Sequence, residues 1–168
     1  MPSPTMKYNP AFLTEQELVD SFVVRQADLD FCLRVVRENI GDSDRHVLVV
    51  GPRGIGKTTL VLRAAVEIRR TPELAERWYP IMFAEESYQV ASAGEFWLEA
   101  LFHVARQTES PQWLKVHADL RTEPDEERLR ERALTQLLAF ADTIHKRLLL
   151  VVENLDMLLG EQLSDEEA

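Results

Sequence analysis

A glycine-rich loop lies between an apolar run and an amphipathic segment, and this order constrains the fold more than any other feature of the sequence. The run His46–Val50 is rich in β-branched residues and predicts a strand buried on both faces, as in a parallel sheet. The loop Gly51–Thr58 follows at once, and Lys57–Arg70 has apolar residues at helical spacing. A strand, a tight loop and a helix in this order predict an α/β fold with parallel strands.

Phosphate chemistry explains the residue types of the loop. Glycines permit positive φ angles and let successive backbone N–H groups approach phosphate oxygens without interference from a Cβ atom. The helix that follows directs its N-terminal N–H groups and the positive end of its dipole toward the same anion. The loop reads Gly51-Pro52-Arg53-Gly54-Ile55-Gly56-Lys57-Thr58, which fits the Walker A spacing in full and predicts a nucleoside triphosphate site. The alternative is a glycine-rich turn with an incidental lysine.

Four side chains of this region have separate predicted roles. Lys57 supplies a cation to the β- and γ-phosphates, and the Thr58 hydroxyl is a candidate ligand of Mg²⁺. Thr59 is predicted to hydrogen-bond near the α-phosphate. Arg53 is expected to be exposed to solvent, with contact to a phosphate or a neighbouring subunit as the alternative. The predicted cofactors are therefore ATP and Mg²⁺.

A second apolar run ends in acidic residues. Leu148–Val152 predicts a buried strand, and Glu153-Asn154-Leu155-Asp156 follows it in the Walker B arrangement. Glu153 is assigned to the Mg²⁺ position, directly or through water. The alternative is an acid that ends a strand or caps the next helix, and Asp156 in particular suits a helix N-terminus. The candidate catalytic residues are therefore Lys57, Glu153 and Asp156.

Together, Phe22-Val23-Val24-Arg25, the helix after it and the glycine-rich loop resemble the N-terminal portion of AAA+ and STAND-type ATPases. The similarity is greatest to the origin-recognition-like ATPase domains of bacteria and archaea, over about residues 9–159. It implies a P-loop NTPase three-layer sandwich with a parallel sheet. In that family a Phe-Val-Gly-Arg-like segment lies beside the adenine, which implies adenine-side positions for Val23, Val24 and Arg25. Here Val24 replaces the family's glycine.

The acidic motif departs from the family pattern at one position. The family commonly has Asp-Glu-x-Asp, whose glutamate activates water, whereas this chain has Asn154 there. An amide cannot accept a proton at neutral pH, so Asn154 cannot be a general base. Either Glu153 serves both roles, or Asp156 reaches the water, or the site binds ATP and hydrolyses it slowly.

The chain also ends soon after its third predicted strand. The family's sheet places a further strand between the first and the third, and that strand, the sensor residues, the arginine finger and the helical lid have no counterpart here. Open apolar strand edges would result. We therefore expect a fragment or truncated product of a longer ATPase. The alternative is a different P-loop sheet order, in which the first and third strands are adjacent.

The remaining elements define the predicted domain organisation. Thr14 and Glu17 form a capping-box pattern at the start of a short helix. Further helices are predicted over 27–39, 93–107, 110–120 and 124–146, and a further strand over 79–84. The predicted organisation is an N-terminal arm and short helix over 1–21, a partial P-loop core over 22–160 and an acidic tail over 161–168.

Composition limits the partners. The net charge is −10, which disfavours nucleic acid and anionic lipid, because both need clustered Lys and Arg. Cys32 is the single cysteine, which excludes an internal disulfide and predicts a buried small hydrophobe. No apolar run is long enough for a signal peptide or a membrane span, so a cytoplasmic location is expected. The expected partners are a nucleotide, further copies of the chain and C-terminal domains of a longer chain.

Three functions compete at this level. The first is an ATPase module whose nucleotide states drive a conformational or assembly switch. The second is a nucleotide-binding regulatory or scaffold domain with negligible turnover, which Asn154 favours. The third is a phosphotransferase, which no acceptor-site motif supports.

Overall fold

The computed structural model describes residues 13–41, 43, 45–83, 90 and 92–153, and their elements match most of the predicted ones. The chain divides into two compact units, Met1–Trp78 and Tyr79–Ala168. The elements are α1 (Glu15–Ser21), α2 (Gln26–Glu38), α3 (Lys57–Arg70), α4 (Pro72–Ala75), β1 (Trp78–Met82), α5 (Ala93–Thr108), α6 (Pro111–Leu120), α7 (Glu126–Ile144) and β2 (Arg147–Val151). The short helix α4 was not predicted. The first twelve residues of the predicted N-terminal segment 1–21 and the acidic tail over 161–168 lie outside the described residues.

The predicted capping box at α1 is confirmed. The Thr14 hydroxyl accepts a hydrogen bond from the Glu17 N–H at 3.2 Å, and the Glu17 carboxylate accepts one from the Thr14 N–H at 2.8 Å. These bonds satisfy two backbone donors that a helix start otherwise leaves without partners. An ion pair between Arg69 and Glu15 (2.6 Å) then joins α3 to α1.

The first unit is built around α3, which packs against α1, α2 and α4. The inward face of α2 is apolar at helical spacing, as predicted, and Cys32 is buried on that face. The buried side chains of α2 and α3 are Leu29, Cys32, Leu33, Val36, Leu60, Ala65, Val66 and Ile68. The helix α3 begins directly from the glycine-rich loop, so its packing fixes the end of that loop.

The prediction of a buried strand over His46–Val50 is wrong in this structure. These residues form no strand, and Leu48 and Val50 are 72% and 80% exposed. The segment makes no backbone hydrogen bond to another described residue. A strand exists only through hydrogen bonds to a neighbouring strand, so apolar, β-branched residues alone do not create one.

The second unit packs α5 against α6 and α7, with the parallel strands β1 and β2 forming its sheet. The Phe83 N–H donates to the Val151 carbonyl (3.0 Å), which extends the pairing by one residue beyond β1. Ala100 and Ala133 are fully buried small residues of α5 and α7. The core of this unit consists of Ile81, Phe83, Ala100, Leu101, Val104, Leu120, Leu129, Ala133, Leu137 and Phe140. This mixed helix and strand architecture agrees with the predicted α/β class, although the described residues do not form a complete three-layer sandwich.

The outer edge of β1 is covered by a side chain. Pro80 lacks an N–H group, which suits an edge strand, where that donor would have no partner strand. With the Gln107 amide oriented to satisfy both groups, it donates to the Pro80 carbonyl (3.1 Å) and accepts from the Met82 N–H (3.3 Å). Gln107 thus replaces a neighbouring strand along this stretch of edge.

Glu126 connects the first turns of two helices. Its carboxylate accepts hydrogen bonds from the Gly94 N–H (2.7 Å) and the Ser92 hydroxyl (2.8 Å), while Glu126 itself begins α7. A Cβ atom on Gly94 would lie 3.0 Å from the Glu126 carbonyl oxygen, so glycine is needed for this close approach. The carboxylate also lies near the positive dipole ends of both α5 and α7.

No helix of the described residues combines the length and apolar character that a bilayer crossing requires.

Removing this carboxylate should destabilise the second unit. We expect Glu126→Ala to lower the free energy of unfolding by about 1–2 kcal/mol, the scale of a lost helix cap. Chemical denaturation followed by circular dichroism measures the change. Glu127→Ala is the matched control, because Glu127 is the next residue and its contact is an exposed ion pair with Arg130. Equal losses in the two variants would contradict the bridging role of Glu126.

Candidate functional site

The backbone of the glycine-rich loop turns through two left-handed residues. Gly54 and Gly56 have φ angles of +85° and +83°, a region that side-chain-bearing residues rarely adopt. Gly56 is the N-cap of α3, and its carbonyl accepts the first hydrogen bond of the helix from Leu60 N–H at 3.0 Å. The loop therefore leads directly into the N-terminus of α3, as the predicted phosphate site requires.

Gly51 lies close against the side chain of Ile55. A Cβ atom at this position would lie 3.2 Å from Cγ2 of Ile55, which is closer than ordinary van der Waals contact. The first and fifth residues of the loop therefore lie against each other. The loop closes on itself before α3 begins, and between these ends Pro52, Arg53 and Gly54 are exposed. The expected exposure of Arg53 is thus observed.

Lys57 folds back over the loop that precedes it. Its ammonium group donates to the carbonyl of Gly51 at 2.7 Å and to the carbonyl of Pro52 at 3.1 Å. The only cation within the first turn of α3 is thus held at the start of the loop. Thr58 and Thr59 follow it and are half-buried. Residues 51–59 form one contiguous stretch of the first unit, and their binding of phosphate stays a prediction.

The segment Phe22–Arg25 reaches the same loop through its last residue. The Arg25 guanidinium donates from Nη1 to the carbonyl of Ile55 (3.3 Å) and from Nε to Asp28 (2.7 Å). Val23 and Val24 are 82% and 72% exposed. The structure therefore brings Arg25 to the loop, while the adenine-side role of the three residues stays a prediction.

Asp28 was missed by the sequence analysis. It lies in the first turn of α2, three residues after Arg25, and pairs with it at 2.7 Å. The signal was present, because opposite charges three residues apart at a helix start lie on one face. The contact between Arg25 and Ile55 had no such signal, since it joins residues far apart in the chain.

Burial raises the pKa of the Cys32 thiol above its usual value. The negative charge of Asp28 raises this pKa further, and the positive charge of Arg25 lowers it. Cys32 lies on the buried face of α2, whereas the charged pair lies at the start of that helix. The thiol is therefore a packed core group, as its apolar neighbours in the sequence predicted.

Glu153 follows β2 in the second unit and is half-buried, with one carboxylate oxygen enclosed. Its position after the strand is the one predicted for the acidic partner. Asn154 and Asp156 lie outside the described residues. Among the residues that are described, no three His, Cys, Asp or Glu side chains form a group suited to a metal ion.

Comparison with known proteins supplies a family. The family model for the AAA ATPase domain matches residues 21–167. An "ATP-dependent protease ATP-binding subunit-like protein" of Rhodococcus erythropolis is 34% identical over 83 residues, which are 46% of this chain and 24% of that protein. The chain thus spans about a quarter of that relative's length. No solved structure matches the chain.

The buried thiol gives a test of how α2 packs. We expect Cys32 to react with Ellman's reagent at pH 8 at least about tenfold more slowly in the folded than in the unfolded chain. Burial withholds the thiol from the reagent, and its raised pKa lowers the thiolate fraction. Absorbance of the released thiolate measures both rates, with the same chain in guanidinium as the control. Equal rates would show that α2 does not bury this residue.

Proposed function

Because this chain belongs to the AAA ATPase domain family, we propose that it binds ATP with Mg²⁺ at Gly51–Thr58. The observation that carries the proposal is the geometry of the loop, in which Gly54 and Gly56 adopt left-handed conformations immediately before α3. Backbone N–H groups of such a loop are the donors that bind phosphate oxygens. The name of the Rhodococcus erythropolis relative, which describes an ATP-binding subunit, agrees with this ligand.

Lys57 provides the charge for this ligand. Its ammonium group is held by two carbonyl oxygens, which are neutral acceptors. Phosphate oxygens carry negative charge and form stronger, charge-assisted hydrogen bonds with an ammonium group. We therefore propose that the ammonium group leaves the carbonyls of Gly51 and Pro52 for the β- and γ-phosphates when the nucleotide binds.

Thr58 and Glu153 are the proposed holders of Mg²⁺. A hydroxyl and a carboxylate are oxygen ligands, which this ion prefers, and it keeps several waters of its own. The ion neutralises charge on the β- and γ-phosphates when it is bound. The proposed part of the protein is to supply Thr58 from the first turn of α3 and Glu153 from the end of β2, directly or through water.

Slow hydrolysis that drives a conformational or assembly switch is the proposed activity. Glu153 or Asp156 would have to accept the proton of the attacking water, because Asn154 cannot. The same residue favours a second candidate, a regulatory or scaffold domain that binds ATP without turnover. Assembly with further copies, or action within a longer protein, is proposed from the family, in which ATPases commonly oligomerise.

Loss of the loop's cation tests nucleotide binding. We expect Lys57→Ala to weaken binding of a fluorescent ATP analogue at least about tenfold, because charge-assisted hydrogen bonds to phosphate are lost. Fluorescence anisotropy measures both dissociation constants. Lys115→Ala on α6 is the matched control, since Lys115 is an exposed lysine of the other unit. Undiminished binding by Lys57→Ala would show that the loop is not the site.

Replacement of Asn154 tests the reason for slow hydrolysis. We expect Asn154→Glu to raise steady-state phosphate release by about a hundredfold, the lower end of what a positioned general base contributes. Asn154→Gln is the control, because it lengthens the side chain and still supplies no base. A wild-type chain that is already fast, and that Asn154→Glu leaves unchanged, would contradict the proposed activity.

A further inference from the structure

Arg25 adopts a conformation that its backbone alone disfavours. Its φ angle is 68°, in the left-handed region, where a residue with a Cβ atom is less stable than glycine. It is also the N-cap of α2, yet its side chain makes no capping bond to that helix. Contacts beyond the local backbone must therefore hold Arg25 in this conformation, and backbone strain of this kind often accompanies a functional role of the side chain.

The Arg25 side chain uses two of its donor groups at once. Nε is paired with Asp28 (2.7 Å), which fixes the plane of the guanidinium group. Nη1 donates to the carbonyl of Ile55 (3.3 Å), thirty positions further along the chain. The Asp28 carboxylate thus holds one side of the Arg25 guanidinium, while the other side donates a hydrogen bond to the backbone of the glycine-rich loop.

The carbonyl that Arg25 contacts belongs to the peptide unit of Gly56. The peptide between Ile55 and Gly56 is planar and trans, so its carbonyl and its N–H group point in opposite directions. When Arg25 holds the carbonyl, the N–H of Gly56 must point away from Arg25. That N–H belongs to the N-cap residue of α3, and the proposed phosphate site uses it as a donor.

The other end of α2 anchors the start of the same segment. The buried side chain of Asn39, the C-cap of α2, donates to the carbonyl of Arg45 at 3.1 Å, and Arg45 also pairs with Glu38 at 2.6 Å. The chain from Arg45 to Ile55 is therefore tied to α2 at both ends, over a helix about 20 Å long. Residues 46–50 have no strand partner among the described residues, and the two ties hold the chain on either side of them.

We propose that Arg25 is a positioning residue of the phosphate loop, which orients the Gly56 N–H by holding the Ile55 carbonyl, with Asp28 orienting Arg25 in turn. This inference rests on the proposed ATP site and deepens it. It assigns Arg25 to the triphosphate end of the ligand and not to its base. The consequence is that loss of Arg25 weakens every ligand that the loop binds through phosphate, whether or not that ligand carries adenine.

Binding of two probes tests the assignment. ATP and inorganic tripolyphosphate each compete with a fluorescent ATP analogue on the wild-type chain and on Arg25→Gly. Glycine tolerates the left-handed φ, so the backbone is relieved of strain while the side-chain contacts are lost. We expect both probes to bind about tenfold more weakly, the scale of one hydrogen bond from a charged donor. Weaker ATP binding with unchanged tripolyphosphate binding would place Arg25 at the base and overturn the inference, as would no change in either probe.

Two further variants test the role of Asp28 and provide a matched control. Asp28→Asn leaves Arg25 in place but removes the charge that orients it, and it should weaken both probes by about threefold. Unchanged binding in Asp28→Asn would contradict the orienting role. Arg69→Met is the matched control, because Arg69 joins α3 to α1 in the same unit and should leave both probes unchanged. Thermal unfolding of each variant confirms that binding is compared between folded chains.

Amide hydrogen exchange reads the peptide orientation directly. In the tripolyphosphate-bound protein, the Gly56 amide should exchange faster in Arg25→Gly than in wild type, whereas the Leu60 amide, bonded to the Gly56 carbonyl, should keep its protection. Unchanged Gly56 exchange would overturn the inference. Lys57→Ala distinguishes failure of the proposed ATP site from failure of the role of Arg25. If Lys57→Ala weakens neither probe, the proposed ATP site is wrong. If Lys57→Ala weakens both probes and Arg25→Gly weakens neither, only the role of Arg25 is rejected.

Discussion

The conformation of the glycine-rich loop depends on a backbone constraint at Gly54 and Gly56. Both have positive φ angles, at which a Cβ atom would meet its own backbone, although each has open space around the position. The constraint is therefore conformational at these two residues, whereas at Gly51 it is steric. Because Gly56 is also the N-cap of α3, the same turn sets where the helix begins and which way it leaves. The helix α3 contacts every other helix of its unit, so the loop and the packing of the unit are fixed together.

A loop of this kind also needs support from outside, because exposed residues of a tight turn have few contacts of their own. Here α2 supplies it through charged and polar side chains at its two ends and through an apolar face toward α3 between them. The ties are directional, since each holds a specific backbone carbonyl. The apolar packing is not directional, and it fixes the distance between the helices without fixing a peptide plane. The polar contacts therefore orient the loop backbone, whereas the apolar packing sets the distance between the helices.

The sequence predicted elements well where the signal is local. Helical spacing of apolar residues located α2, α3, α5 and α7 to within a few residues, and the Thr14 capping box located the start of α1. The strand prediction over His46–Val50 is wrong, because strand formation depends on a partner strand that no local sequence pattern specifies. The site divides in the same way. The loop residues were predicted from contiguous spacing, whereas the contact of Arg25 with Ile55 joins distant parts of the chain.

The two halves of ATP chemistry place different demands on such a chain. Phosphate binding by a loop relies on backbone N–H groups, which every residue except proline supplies, so it depends on conformation more than on side-chain identity. Activation of water relies on a titratable side chain, which Asn154 cannot supply and which Glu153 or Asp156 would have to provide. A chain can therefore retain the first half while it loses the second. The glycines, Arg25 and Asp28 hold the loop conformation here through interactions that lie within one unit. Glu153, the acid proposed for Mg²⁺, belongs to the other unit, so its proposed role does not rest on these interactions.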